Sequence, residues 1–354
     1  MLKIAVIGTT SWGVTLSVVL AGKGVQVSLW ARTKREASQL QKHGPDPDIF
    51  PNISFPSQLI ITNQLSEALD GAKAVFMVVP SQSMRRNIKL VASHISKSMM
   101  VVSAAKGLEI GSGKRMSEVI AEEINPKYRA HICILSGPNL AREVCQGLPA
   151  ATVVAAEDIS VARKVQRLLT TPDLCVFTNT DIVGVELGGA LKNIIALGAG
   201  IADGLAYGDN AKAAFVTRGL TEITALGVAL GAHPLTFSGL AGLGDLIATC
   251  ASPLSRNHYV GEELARGRSL EEILGSMSSV AEGVNTTLVA RNLARDLGLE
   301  MPITEKMYQV LYEGTSPRQA AADMMGGNAR HELTGRKWKL FSFFRRRKNS
   351  SADK

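Results

Sequence analysis

The spacing of its apolar runs constrains this chain more than any other feature. Short β-rich runs recur at Lys3–Ile7, Val25–Trp30, Leu59–Thr62, Ala74–Val79, Met99–Ser103, Ile132–Ser136, Thr152–Ala156 and Cys175–Phe177, with helix-length segments after most of them. Runs such as AVFMVV and MMVVSA leave no polar face, which suits strands covered by helices on both sides, the habit of a parallel sheet. A doubly wound α/β domain is therefore expected over residues 1–181. After Asp181, GVELGGALKNIIALGAGIADGL and NAKAAFVTRGLTEITALGVALG keep a helical period with apolar residues most of the way round, as buried helices do. An all-α second domain is expected over 182–335, followed by a tail, 336–354.

The net charge of +8 is informative only once it is located. Eight basic residues and one acid between Arg336 and Lys354 carry +7 of it, leaving +1 on the rest of the chain. The body is not a nucleic-acid-binding surface by charge. The 4 cysteines, Cys133, Cys145, Cys175 and Cys250, lie far apart with no C-x-x-C pair, so they read as buried thiols of a reducing compartment and not as a zinc site or a disulfide framework. No uninterrupted run approaches the roughly 20 apolar residues of a membrane span, and the first residues run straight into a strand pattern without room for a signal peptide. A cytoplasmic protein is expected.

The first strand runs into IGTTSWG and then the apolar VTLSVVLAGKG. Gly8 and Gly13 hold the outer places of a G-x-G-x-x-G dinucleotide loop, and Thr10 replaces its middle glycine, the one that lets backbone approach the pyrophosphate. The Ser11 and Trp12 amides are expected to carry the pyrophosphate at a helix N-terminus, with Thr10 holding the chain slightly away or donating its hydroxyl to a phosphate oxygen. The second strand ends in VSLWARTKRE, with Arg32, Lys34 and Arg35 and no acid at the strand end. An arginine there accommodates a ribose 2′-phosphate, so NADP is expected over NAD; Lys34 and Arg35 also read as solvated charges opening a helix.

Other strand ends place polar groups where α/β sheets bind ligands: Pro80 and Ser81, Lys106 and Gly107, and Gly137, Pro138 and Asn139. Lys192 sits within an apolar, glycine-rich helix, where burial of an ammonium is costly unless it is paired or functional. Asp245 lies in AGLGDLIATC, and Ser255, Arg256 and Asn257 form a compact donor set suited to phosphate.

Taken in order, KGLE, SGPNLARE, LGGALKNIIALGAGIADG, AGLGDLIATC, SRN and EMPITEKMYQVLY resemble the bacterial NAD(P)-dependent glycerol-3-phosphate dehydrogenases, over about residues 2–332. The resemblance implies a Rossmann-type N-terminal domain, a helical C-terminal domain, and reduction of dihydroxyacetone phosphate to sn-glycerol 3-phosphate for phospholipid synthesis. It assigns cofactor contacts to Ser11, Trp12, Arg32, Ala141, Val280 and Glu282, beside Gly8 and Gly13. It gives Lys106 to cofactor and substrate together, and Gly137, Asn139, Asp245, Ser255, Arg256 and Asn257 to the substrate, with Arg256 also near the cofactor. Lys192 matches the proton-transferring lysine. Thr10 departs from the family pattern, as does Asn139, which stands where many members carry serine or threonine.

On this reading Lys192 supplies the proton, Lys106 stabilises the developing alkoxide and holds substrate, Asp245 orients Lys192, and two neighbouring cations depress each other's pKa. The expected ligands are NADP, with NAD possible, and a small phosphorylated substrate; no metal and no nucleic acid are expected. A homodimer is the expected assembly. The tail RKWKLFSFFRRRKNSSADK mixes aromatic with basic residues, which suits peripheral contact with an anionic membrane, while a solvated terminus would show the same composition. Two other classes fit parts of the pattern: a dehydrogenase of 3-hydroxy acids or sugar derivatives, which needs a carboxylate pocket in place of the SRN donors, and a cofactor-sensing binding protein, which has no use for Lys192.

Overall fold

The computed structural model describes residues 2–277 and 279–325; the basic aromatic tail lies outside them. The eight strands are β1 (Lys3–Ile7), β2 (Gln26–Trp30), β3 (Leu59–Thr62), β4 (Ala74–Met77), β5 (Met100–Ser103), β6 (Ile132–Ser136), β7 (Ala150–Ala155) and β8 (Leu174–Asn179). They form one sheet in the order β3-β2-β1-β4-β5-β6-β7-β8. The first six run parallel, whereas β7 turns back antiparallel to β6 and β8 follows β7 in parallel. The wholly parallel expectation fails at that step because β6 and β7 are joined by a connection holding only the short helix Ala141–Cys145, too little for a crossover over the sheet.

Strands β4, β5 and β6 are buried along their whole length, as their unbroken apolar runs require. At the β8 edge the pattern alternates, so Cys175 and Phe177 face outward. Cys175 is therefore exposed, contrary to expectation, while Cys133, Cys145 and Cys250 are buried.

Everything described after Asp181 is helical or turn. The central helix, Ile182–Gly204, is capped by Asp181, whose Oδ1 accepts the Gly184 N–H at 2.8 Å and whose Oδ2 accepts the Thr236 hydroxyl at 2.7 Å. This helix has the length and mean hydropathy (1.5) of a membrane span, although Glu186 and Lys192 interrupt its apolar run. Its most apolar stretch is 89% buried inside the fold, so it is the core of the helical half. Its glycines serve close packing. A Cβ at Gly200 would stand 2.0 Å from the His258 carbonyl oxygen, and one at Gly261 would stand 1.9 Å from that of Leu197. Only bare backbone lets the helix Arg256–Ala265 lie against the central helix at this distance, and the SRN segment is placed by that contact.

Two buried carboxylates lock this half in place. Glu222 accepts the Ile303 and Thr304 N–H groups at 2.8 and 2.7 Å, supplying the anion at the start of the helix Pro302–Tyr312. Glu186 on the central helix accepts the Ser117 N–H and an Arg115 Nη1–H, both at 2.7 Å, and so ties the helical half to the segment following Lys106.

Candidate active site

Gly8, Arg32, Ser81, Lys106 and Gly137 all follow parallel strands, so they lie along the carboxyl edge of the sheet, where the helical half meets it. Gly8 has φ +110, and a Cβ there would stand 2.5 Å from the Val78 carbonyl oxygen. The backbone makes its tight turn there and enters the helix Ser11–Gly22 at once.

Thr10 is the N-cap of that helix. Its hydroxyl oxygen accepts the Gly13 N–H at 3.1 Å and donates its own proton to the Val78 carbonyl at 3.0 Å. The expectation that this hydroxyl would donate to a phosphate is corrected, because its proton is already used to pin the loop to the end of β4. The Ser11 and Trp12 N–H groups, at the first turn, have no intrahelical acceptor. Trp12 Nε1 is buried without a hydrogen-bond partner among the described residues. A tight turn, free amides and an orphaned donor suit a dinucleotide pyrophosphate.

The end of β2 differs from its sequence reading in one respect. Thr33 caps the helix Lys34–His43 by accepting the Glu36 N–H at 3.1 Å, and the Glu36 side chain folds back. Its Oε2 accepts the Arg32 N–H at 3.1 Å, and its Oε1 accepts the Thr9 hydroxyl. A carboxylate therefore does stand at the strand end, supplied from the next helix. The T-x-x-E spacing of Thr33 and Glu36, a capping-box pattern, was the signal that could have found it.

The centre of the site is one carboxylate shared by two lysines. Asp245 opens the helix Asp245–Ala251 after a wide π-type turn, Leu240–Gly244, and is buried. Its Oδ2 accepts from Lys106 Nζ at 2.6 Å, and its Oδ1 accepts from Lys192 Nζ. Lys106 also donates to the Gly137 carbonyl at 2.8 Å, and Lys192 to the Thr249 hydroxyl oxygen. Thr249 was not foreseen, although its place one turn after Asp245 puts it on the same helix face.

Lys192 is only 5% exposed. Burial is the main force on its ammonium, and it lowers the pKa from 10.5 to about 8, with Asp245 resisting and Lys106 assisting. The sequence reading had credited mutual repulsion of the lysines; that contribution exists but is smaller than desolvation. Cys250, in the helix Asp245–Ala251, is pushed up to about 12 by burial and stays a thiol.

The remaining candidates fall around this pair. Glu282 begins the helix Glu282–Asp296, next to half-exposed Val280, and bridges the halves by accepting the Ser81 N–H at 2.8 Å and hydroxyl at 2.5 Å. Gly107 packs against the same two side chains, linking the Lys106 segment to them. Ala141 opens a short helix whose first carbonyl accepts the Thr15 hydroxyl at 3.0 Å, so it borders the dinucleotide loop's helix. Both polar side-chain atoms of Asn139 are buried without partners among the described residues.

Ser255 caps the helix Arg256–Ala265 by accepting the His258 N–H at 3.2 Å, so SRN is a helix start with an arginine in its first turn. Arg256 is exposed and forms no ion pair among the described residues. Asn257 is more committed than expected: its Nδ2 donates to Asn193 Oδ1 and its Oδ1 accepts the Gly283 N–H, both at 2.9 Å. Arg32 is set apart, at the end of β2. A surface cavity of ≈ 510 Å³ beside Asp70, Lys73 and His94 lies at the amino end of β4 and contains none of these residues.

A doubly wound sheet with a glycine turn leading into a helix, joined to a helical half that contributes a paired lysine and an anion-suited helix start, defines a two-domain nicotinamide-dinucleotide-dependent dehydrogenase. Residues 3–162 match the family described as NAD-dependent glycerol-3-phosphate dehydrogenase N-terminus, and residues 181–322 match its C-terminus. The chain belongs to the NAD-dependent glycerol-3-phosphate dehydrogenase family and is an oxidoreductase. It is 60% identical over 349 residues to a glycerol-3-phosphate dehydrogenase [NAD(P)+] of Dehalococcoides mccartyi, covering 98% of this chain and 97% of that one. A Streptomyces griseus protein of the same name is 47% identical over 331 residues, covering 93% and 98%. The crystal structure of glycerol-3-phosphate dehydrogenase from Coxiella burnetii superposes with a TM-score of 0.86 at 34% identity, covering 92% of this chain and 99% of that one.

Proposed function

We propose that this enzyme reduces the C2 ketone of dihydroxyacetone phosphate to the alcohol of sn-glycerol 3-phosphate, reversibly. The observation that carries the reading is the Asp245 carboxylate held between Lys106 and Lys192 at the edge of the sheet. Gly8, Ser11, Trp12 and Gly13 hold the dinucleotide's pyrophosphate, with Arg32, Ala141, Val280 and Glu282 at its other contacts. The nicotinamide supplies hydride to the carbonyl carbon when the dinucleotide is bound.

The protein's own part is to manage the charge and the proton. As negative charge grows on the carbonyl oxygen, the Lys192 ammonium gives up its proton to it, and Asp245 fixes the direction of that N–H. Lys106 stabilises the alkoxide electrostatically. The helix start at Ser255, Arg256 and Asn257 receives the phosphate, with its N–H groups and guanidinium as donors. Gly137 and Asn139 border the triose. The chain divides at residues 181 and 182 into a dinucleotide-binding domain and a helical substrate domain, and both contribute residues to the shared site.

The chain's product feeds glycerophospholipid synthesis in the cytoplasm. Two further proposals accompany this reading. The chain acts as a homodimer, supported by exposed Leu235, Ile247 and Leu254 on the helical half. Its tail touches anionic membrane, supported by its composition and read by vesicle co-sedimentation of the full chain against one ending at Thr334.

Purified protein is expected to oxidise NADPH or NADH on addition of dihydroxyacetone phosphate. Arg256→Ala is expected to raise the KM for that substrate about 10- to 100-fold, the size of a lost charge-assisted contact. Turnover of a 3-keto acid with none of dihydroxyacetone phosphate would overturn the assignment.

A further inference from the structure

The reading of Arg32 predicts preference for a 2′-phosphorylated cofactor, yet Glu36 places a carboxylate at the same strand end. Its two oxygens accept from the Thr9 hydroxyl in the glycine turn and from the Arg32 backbone N–H at 3.1 Å, so it spans the carboxyl ends of β1 and β2. In doubly wound dinucleotide folds that crevice receives the adenosine ribose, and an acid there accepts the 2′-hydroxyl. A carboxylate has about four lone-pair sites, so it keeps acceptor capacity beyond these two bonds. It also borders a cavity of ≈ 310 Å³, lined by Thr9, Gln39, Leu40 and His43 among others.

We infer that Glu36 is a specificity-determining residue for the cofactor. Its carboxylate accepts the 2′-hydroxyl of an unphosphorylated ribose and opposes a 2′-phosphate, while the Arg32 guanidinium, which forms no ion pair among the described residues, favours the phosphate. The two side chains pull in opposite directions, and the chain accepts both NAD and NADP as a result. No acid is needed at the last strand residue, because the helix cap delivers one from four residues beyond Arg32. This inference rests on the dinucleotide reading of the Gly8–Gly13 turn.

Isothermal titration of the full chain with 5′-AMP and with adenosine 2′,5′-bisphosphate tests it without turnover. Glu36→Gln, which keeps length and one acceptor, is expected to raise the affinity for the bisphosphate about tenfold relative to 5′-AMP, the scale of one like-charge repulsion at a part-exposed site. Thr9→Val removes the hydroxyl but keeps the charge, and is expected to leave the ratio of the two affinities unchanged. Unaltered melting temperatures establish that both variants fold. An unchanged ratio in Glu36→Gln, or the same shift in Thr9→Val, overturns the role given to Glu36 while leaving the loop assignment standing. Binding of neither nucleotide to the unmodified chain overturns the loop assignment itself and this inference with it.

Discussion

Lys192→Met is expected to lower kcat for dihydroxyacetone phosphate reduction by about 10²-fold or more, the usual contribution of a positioned proton donor, with a small change in KM. Methionine fills the length of the lysine stem in a buried site and removes only the ammonium. Asp245 is not orphaned by the change. Its Oδ2 still accepts from Lys106 at 2.6 Å, and its Oδ1 lies 3.2 Å from the Thr249 hydroxyl. Folding stability near neutral pH should therefore hold or rise, since a desolvated charge has been removed. A variant that is stable, binds substrate and does not turn over separates proton delivery from scaffolding. Steady-state kinetics with a thermal melt on the same sample reads both, and retained turnover would remove Lys192 from its role.

Asp245→Asn is expected to do the opposite to stability. It leaves a 5%-exposed ammonium without its counter-ion, the situation that costs about 3–5 kcal/mol when one partner of a buried pair is removed. The loss should depend on pH with a definite sign. The folded-state pKa of Lys192, about 8, lies below its ordinary 10.5, so between these values the unfolded chain binds more protons and the Lys192 contribution to stability rises with pH. Without Asp245 resisting, the folded pKa falls further and the rise begins at lower pH. The gap between variant and parent should therefore be widest below the variant's lowered pKa and close progressively up to about pH 8, above which Lys192 is neutral in both. Melting temperatures across that range measure it; a gap that does not vary with pH would mean that Asp245 acts by packing alone.

The legible part of this chain was what repeats along it. Short β-rich apolar runs marked every strand to within a few residues, and all-round apolar periodicity marked the central helix. What sequence spacing did not carry was direction and partnership. The antiparallel step at β7 depends on how little chain follows β6, and outward-facing Cys175 depends on β8 being an edge. In the site, the residue types at Lys106, Lys192 and Asp245 pointed to chemistry, but their common carboxylate is a contact across 53 and 139 residues. Thr10 was read as a damaged glycine position and is a helix cap tied to β4. Glu36 lies beyond the strand's last residues, and only its side chain, folding back from a helix cap, reaches the strand end.

The central claim is that a buried lysine, tuned by desolvation and held by Asp245, delivers the proton. The pH dependence of kcat/KM, which reports the free enzyme's groups, measured in both directions on the unmodified enzyme, tests it most directly. Reduction of dihydroxyacetone phosphate needs the ammonium, so its rate should fall with a midpoint of about 8, and oxidation of glycerol 3-phosphate needs the free amine, so its rate should rise through the same midpoint. Profiles with no opposed limbs there, or with limbs that persist in the residual activity of Lys192→Met, would contradict it.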